Sequence, residues 1–133
     1  MLKKLAPAPL SLNVLVVDDE RELRESLSQI LQRMNHKVFQ AATGEEALEI
    51  LRDRGVDLPT SIHMVLLDVN MPGINGEELC RFIKGNTLFA GIQVVFCSAA
   101  DEAELQRLVK TCGADGYVRK DQLIAKEILD LLT

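Results

Sequence analysis

A chain of 133 residues, 47% of them hydrophobic, can bury one real core and is too apolar for a disordered segment. Its net charge of −5, with no basic stripe, disfavours direct contact with nucleic acid. No apolar run approaches the ~20 residues that a membrane span needs, so no membrane association is expected.

Met1-Leu2-Lys3-Lys4 has the charge of a signal-peptide start, but Pro7 and Pro9 break the short apolar stretch after it. Residues 1–10 therefore read as a flexible lead-in. The three cysteines, Cys80, Cys97 and Cys112, lack metal-ligand spacing. An odd count without a secretory signal predicts buried, reduced thiols and a cytoplasmic protein.

In chain order, Leu12–Val17 is an apolar strand ended by Asp18-Asp19. Leu23, Leu27, Ile30, Leu31 and Met34 then share one face of a helix. Lys37–Ala41 is a second, more polar strand. Thr43-Gly44-Glu45-Glu46 has the pattern of a capping box and opens a helix that Gly55 stops. A loop over 56–62 contains Pro59. The third strand, Met64–Leu67, runs into Asp68 and a Met71-Pro72-Gly73 turn.

Asn75-Gly76-Glu77-Glu78 starts a helix with Leu79, Phe82 and Ile83 as its expected buried face. Ile92–Cys97 is a fourth strand, ended by Ser98-Ala99-Ala100. Asp101 starts a helix with Leu105, Leu108, Val109 and Cys112 inward, and Gly113 stops it. Asp115–Arg119 is a short fifth strand, ended by Lys120. A last helix is expected from Asp121 to about Leu132, with Ile124, Ile128 and Leu131 inward.

Five successive strand–helix units call for an α/β fold: a doubly wound parallel sheet with helices on both faces. The first, third and fourth strands are the most apolar and belong in the centre; the second and fifth can tolerate an edge. The order 2-1-3-4-5 satisfies both conditions. Every carboxyl end then lies on one side. Asp18-Asp19, Asp68, Ser98 and Lys120 meet there, at the switch point where such sheets bind ligands. Taken singly, Asp18 or Asp19 would be a helix cap, Asp68 a turn residue, Ser98 a loop residue and Lys120 a solvated lysine. Their joint placement at consecutive strand ends argues for a site.

Three carboxylates in one crevice repel unless a proton or a cation sits among them. An oxygen-only donor set favours Mg2+, or Mn2+ in its place. A carboxylate can also attack phosphorus to give an acyl phosphate, whose oxygens a cation, Lys120 and the Ser98 hydroxyl would stabilise.

The motifs Val16-Val17-Asp18-Asp19-Glu20, Leu66-Leu67-Asp68-Val69-Asn70-Met71-Pro72 with Gly76, Phe96-Cys97-Ser98-Ala99 and Gly113–Lys120 together resemble a response-regulator receiver domain, over roughly residues 12–132. The resemblance implies a flavodoxin-like fold over 11–133 and a phosphorylation-switched role in a two-component phosphorelay. Asp68 resembles the family's phosphoacceptor, served by a histidine kinase or a histidine phosphotransfer protein. Asp19 and Asp68 resemble direct Mg2+ ligands, Asp18 an indirect one through water, and Asn70 a ligand through its backbone carbonyl. Ser98 matches the switch hydroxyl, Ala99 the small residue that leaves access to the aspartate, Lys120 the phosphate-contacting lysine, and Tyr117 an aromatic that turns inward on activation. Residues 101–132 are implied as the face for a downstream protein, and activation-dependent homodimerisation is a further implication.

Two departures stand out. Asp121 follows Lys120 where the family usually has proline, and the 56–62 loop is longer than usual. The first motivates an alternative reading: a degenerate receiver working as a phosphorylation-independent interaction module. An aspartate-nucleophile phosphatase would typically carry an aspartate where Asn70 stands. The leading reading is a signalling domain that takes part only in its own phosphorylation and dephosphorylation, not an enzyme acting on an outside substrate. A stand-alone receiver and a fragment of a longer protein both remain open.

Overall fold

The computed structural model describes residues 11–56, 58–121 and 124–132; the lead-in 1–10 lies outside these. The chain alternates β1 (Asn13–Val17), α1 (Arg21–Arg33), β2 (Lys37–Ala41), α2 (Gly44–Arg54), β3 (Met64–Asp68), α3 (Gly76–Gly85), β4 (Gln93–Ser98), α4 (Glu102–Cys112), β5 (Gly116–Arg119) and α5 (Ile124–Leu132). All strand pairs are parallel, in the order β2-β1-β3-β4-β5. This is the order expected from strand apolarity. β1 and β3 are buried along their whole length, whereas β2 carries exposed Lys37 and Gln40 at its edge.

The side-chain alternation of the strands divides the core in two. Leu15, Val17, Val65, Leu67, Val94 and Phe96 face α2, α3 and α4. Val14, Val16, Met64, Leu66, Val95 and Val118 face α1 and α5, packing with Leu27, Leu31, Ile128 and Leu131. Burying each such side chain contributes about 1.5–3 kcal/mol. A one-residue slip of β1 or β3 would exchange the faces and is excluded by packing.

Local signals set the helix starts. The Thr43 hydroxyl accepts the Glu46 N–H, and the Asp101 carboxylate accepts the Glu104 N–H. Asn75 and Glu78 form a reciprocal capping box. α2 and α4 end at glycines with positive φ, Gly55 and Gly113.

The expected face of α3 and some strand starts need correction. Phe82 is 44% exposed, and Cys80 takes its place on the buried face of α3. The Cys80 thiol donates to the Cys112 carbonyl of α4 at 3.5 Å, so the helix presents this position, not Phe82, to α4. β1, β4 and β5 each begin one residue later than expected; α5 is described from Ile124, and its expected start at Asp121 runs through residues 122 and 123, which lie outside the described residues.

The long α2–β3 loop is tied to the amino-terminal edge of the sheet. Asn13 Nδ2 donates to the Pro59 and Ser61 carbonyls at 2.9 and 2.8 Å, and Ser61 Oγ accepts the Leu58 N–H. The opposite edge is left to the acidic residues.

Candidate functional site

β1, β3, β4 and β5 each stop at the same edge, and the residues at and just past those strand ends build the site. Asp18 comes directly after β1, and its N–H donates to the Ala41 carbonyl, so the neighbouring edge strand fixes the turn. Asp18 Oδ1 accepts the Glu20 N–H at 2.9 Å, and Arg24 donates to the Asp18 carbonyl at 2.8 Å. The carboxylate is thus held inward, 1% exposed, while Asp19 is exposed.

Asp68 ends β3 and is 4% exposed; its Oδ1 accepts the Asn70 N–H at 3.3 Å. Gly76 makes this turn possible, since a Cβ there would lie 2.2 Å from the Asp68 carbonyl oxygen. The turn passes through Gly73 at φ +74° before Asn75 caps α3.

Lys120 spans the two buried carboxylates. Its Nζ lies 2.9 Å from Asp18 Oδ2 and 3.1 Å from Asp68 Oδ1. Its N–H donates to the Ser98 carbonyl at 2.8 Å, so β4 fixes the lysine's backbone. That bond exists with Asp121, not proline, as the next residue. Ser98 is buried, and its Oγ accepts the Ala100 N–H at 3.1 Å. Ala99 between them is exposed. Tyr117 stands apart from the acidic cluster. It pairs with Phe96 in the sheet, and its hydroxyl donates to Glu102 at 2.7 Å.

Electrostatics follow from this geometry. Burial, then the Asp18 charge, push the Asp68 carboxyl above its ordinary pKa, against the opposing pull of Lys120. Burial alone would lower the Lys120 ammonium, but its contacts with Asp18 and Asp68 outweigh it and raise the pKa. Cys97, beside Asp68 in register, is pushed up to about 12 by burial and is no nucleophile. Cys80 and Cys112 are also buried and free.

One carboxylate oxygen from each of Asp18, Asp19 and Asp68 lies within 4.8 Å of the others. Mg2+ takes oxygens at ~2.1 Å in an octahedron, which places ligand atoms about 3–4.2 Å apart. The set is therefore open enough for such an ion with slight closure or an intervening water. Asp18 Oδ2 is buried and, apart from its ion pair with Lys120, receives no well-directed hydrogen bond, so it retains capacity for a cation or its water. Donor chemistry, spacing and this under-used oxygen fit a hard divalent ion.

The sequence brought Asp18, Asp19, Asp68, Ser98 and Lys120 to one edge, and the structure assembles them there. It adds three residues that sequence reasoning did not connect to the site. Arg24 anchors the Asp18 carbonyl, Glu45 receives the Ile74 N–H at 3.1 Å, and Glu102 holds Tyr117. Acids in the first turn of a helix are common, so neither glutamate carried a signal of its own.

A doubly wound parallel sheet with buried carboxylates and a lysine at its switch point defines the receiver class of α/β domain. Residues 14–132 match the response regulator receiver domain family, and the chain belongs to it. It is 33% identical over 131 residues to the gliding motility regulatory protein of Myxococcus xanthus, covering 96% of this chain and 16% of that protein. It is 34% identical to the response regulator UvrY of Escherichia coli, covering 82% of this chain and 47% of the relative. The chain thus spans less than half the length of these relatives. Among solved structures, the chemotaxis response regulator CheY4 of Vibrio cholerae superposes with a TM-score of 0.77 at 25% identity, covering 92% of this chain and 99% of that one. Among the described residues, no helix is long and apolar enough to cross a membrane.

Proposed function

We propose that this chain is a phosphorylation-switched receiver in which Asp68 accepts a phosphoryl group from the phosphohistidine of a histidine kinase or phosphotransfer protein. The observation that carries the reading is the ion-pair triangle. One half-buried lysine faces both Asp18 and Asp68 at about 3 Å, within a three-carboxylate cluster.

An Asp68 carboxylate oxygen forms the new bond to phosphorus while the bond from phosphorus to the histidine nitrogen breaks. The bonding pair returns to that imidazole, which takes up a proton. Burial makes Asp68 more basic, and so a better nucleophile once ionised. Lys120, already 3.1 Å from Asp68, pairs with the incoming phosphoryl oxygens, and Ser98 offers its hydroxyl from the adjoining strand end. Asp19, Asp68 and the Asn70 carbonyl would hold Mg2+ or Mn2+, with Asp18 acting through water. The bound ion would supply charge neutralisation at the transferring group.

The chemistry is self-directed: the protein is the substrate, and no outside phosphoester is turned over. We place it in the cytoplasm, away from membrane and nucleic acid. Output is assigned to residues 101–132. There a cleft of about 630 Å³ between α4, β5 and α5 is bordered by Glu102, Gln106, Tyr117 and Glu127. A downstream protein, or a second copy after activation, would bind here.

Acetyl phosphate with Mg2+ tests the reading. The wild type should gain one phosphoryl group by mass, and Asp68→Asn should gain none. Equal labelling of both would remove Asp68 as acceptor. No labelling of the wild type would favour a receiver that works as a phosphorylation-independent interaction module.

A further inference from the structure

We propose that Glu45 is a positioning residue for the divalent-cation site: from the first turn of α2 its carboxylate holds the β3–α3 loop, keeping the Asn70 carbonyl where the ion needs it. The proposal rests on the reading of Asp68 given above and deepens it.

Residues 69–75 lead from the nucleophile to α3. The loop is fixed at its two ends by its own bonds: Asn70 N–H to Asp68 Oδ1 at 3.3 Å, Gly76 N–H to the Val69 carbonyl at 3.2 Å, and the Asn75–Glu78 capping box. Just before the Asn75 cap, at Ile74, the support comes from a different element. Glu45 Oε1, 29 residues away in sequence, accepts the Ile74 N–H at 3.1 Å.

The neighbouring glycines show how close this approach is. A Cβ on Gly44 would lie 2.7 Å from the Ile74 carbonyl oxygen and 2.8 Å from the Ile74 Cβ. A Cβ on Gly73 would lie 3.2 Å from Glu45 Oε1, and Gly73 has a positive φ. The loop therefore runs directly over the start of α2. An acid in this first turn would ordinarily be assigned to the helix dipole. Here it turns aside to an amide of another loop. The cap of α2 does not depend on it, because Thr43 caps the helix through the Glu46 N–H.

Asn70 is held at the fixed start of the loop through its N–H, but its carbonyl opens the stretch 71–73 that leads to Ile74. A backbone carbonyl ligand has no rotamer with which to adjust. Its position is that of its loop, and Mg2+ tolerates little departure from octahedral geometry. Freeing Ile74 lets the loop drift and weakens the ion without touching any of its ligands.

The test is a Mg2+ titration of the full chain followed by backbone-amide NMR, with amide hydrogen exchange and thermal unfolding on the same samples. Glu45→Ala should raise the Mg2+ dissociation constant roughly three- to tenfold, as expected for one lost hydrogen bond. The Ile74 amide should exchange faster, with unfolding little changed. Glu45→Gln keeps an acceptor oxygen but no charge, and should stay within about twofold of wild type if the hydrogen bond is what matters. Wild-type affinity in Glu45→Ala would overturn the proposal. Equal weakening in both variants would also overturn it, since charge would then be the cause. Asp68→Asn separates the two readings. If the wild type binds Mg2+ and Asp68→Asn does not, the cation site stands whatever Glu45 does. If the wild type binds none, the site reading and the Glu45 proposal fall together.

Discussion

Lys120 carries the electrostatic balance of the site, since without it Asp18 and Asp68 would face each other in a buried crevice. Replacing it with methionine leaves two unpaired buried carboxylates. We expect Lys120→Met to lose about 3 kcal/mol of stability in metal-free buffer. Much of that loss should return on adding Mg2+, which takes over the neutralising role. Denaturant unfolding with and without Mg2+ checks this, and a loss indifferent to Mg2+ would count against a shared site. Asp68→Asn should act in the opposite direction. Its carboxyl is raised by burial and by Asp18, so removing the charge should raise the melting temperature by a few degrees in metal-free buffer at neutral pH.

His36 governs a separate pH response, at the other end of β1. Its Nδ1 accepts the Leu12 N–H at 3.0 Å, and burial lowers its pKa from the ordinary 6.5. The unfolded chain therefore binds the proton more readily. The stability His36 contributes is complete above its ordinary pKa and is lost as pH falls through the lowered value. Asp68 slopes the other way, because a raised carboxyl gives most stability at low pH and loses it as pH rises through the raised value. Comparing wild type with His36→Gln between pH 7.5 and 5 isolates the histidine. A shallower dependence is expected in the variant.

At the scale of elements, the turn from β3 into α3 is where fold and site share atoms. Gly76→Ala pushes a Cβ into the Asp68 carbonyl, at 2.2 Å, so backbone must move. A cost of about 3 kcal/mol or more is expected, with loss of Mg2+ binding in whatever folds. Asn75→Ala removes only the cap and should cost about 1 kcal/mol. Calorimetric unfolding distinguishes the two. This region was partly legible in the sequence. The Asn75–Glu78 box and the Met71-Pro72-Gly73 turn announced the helix start. The apolar pattern of α3 suited Phe82 as well as Cys80, and periodicity could not choose between them. In the fold α4 lies over Cys80, its Cys112 carbonyl accepting from the thiol, while Phe82 lies on the outer side beside Phe89, ring centroids 6.3 Å apart.

Across the whole molecule, strand order and site location were legible because both follow from which strands are apolar and which residues end them. Asp18, Asp68, Ser98 and Lys120 needed only a parallel sheet to meet. Contacts made sideways between loops and helix starts were not legible. Arg24 on the Asp18 carbonyl, Glu45 on Ile74 and Glu102 on Tyr117 depend on side-chain reach between segments that no periodicity links. The amino-terminal edge shows the same division. An unusually long loop could be seen, but its binding to Asn13 through two carbonyls could not.

The bond between Tyr117 and Glu102 bears on how quiet such a switch is at rest. On the switch role that the family resemblance implies for Tyr117, a phenol held at 2.7 Å by a carboxylate at the start of α4 would have to let go before the ring could swing toward Ser98. One partly exposed bond of this kind is worth about 1 kcal/mol, or roughly a fivefold bias in populations. Glu102 would then set the leak of the unphosphorylated protein. Glu102→Ala should raise the resting fraction of inward Tyr117 by about that factor, visible in the ring's NMR signals, while Asp68 takes up phosphoryl groups at its usual rate.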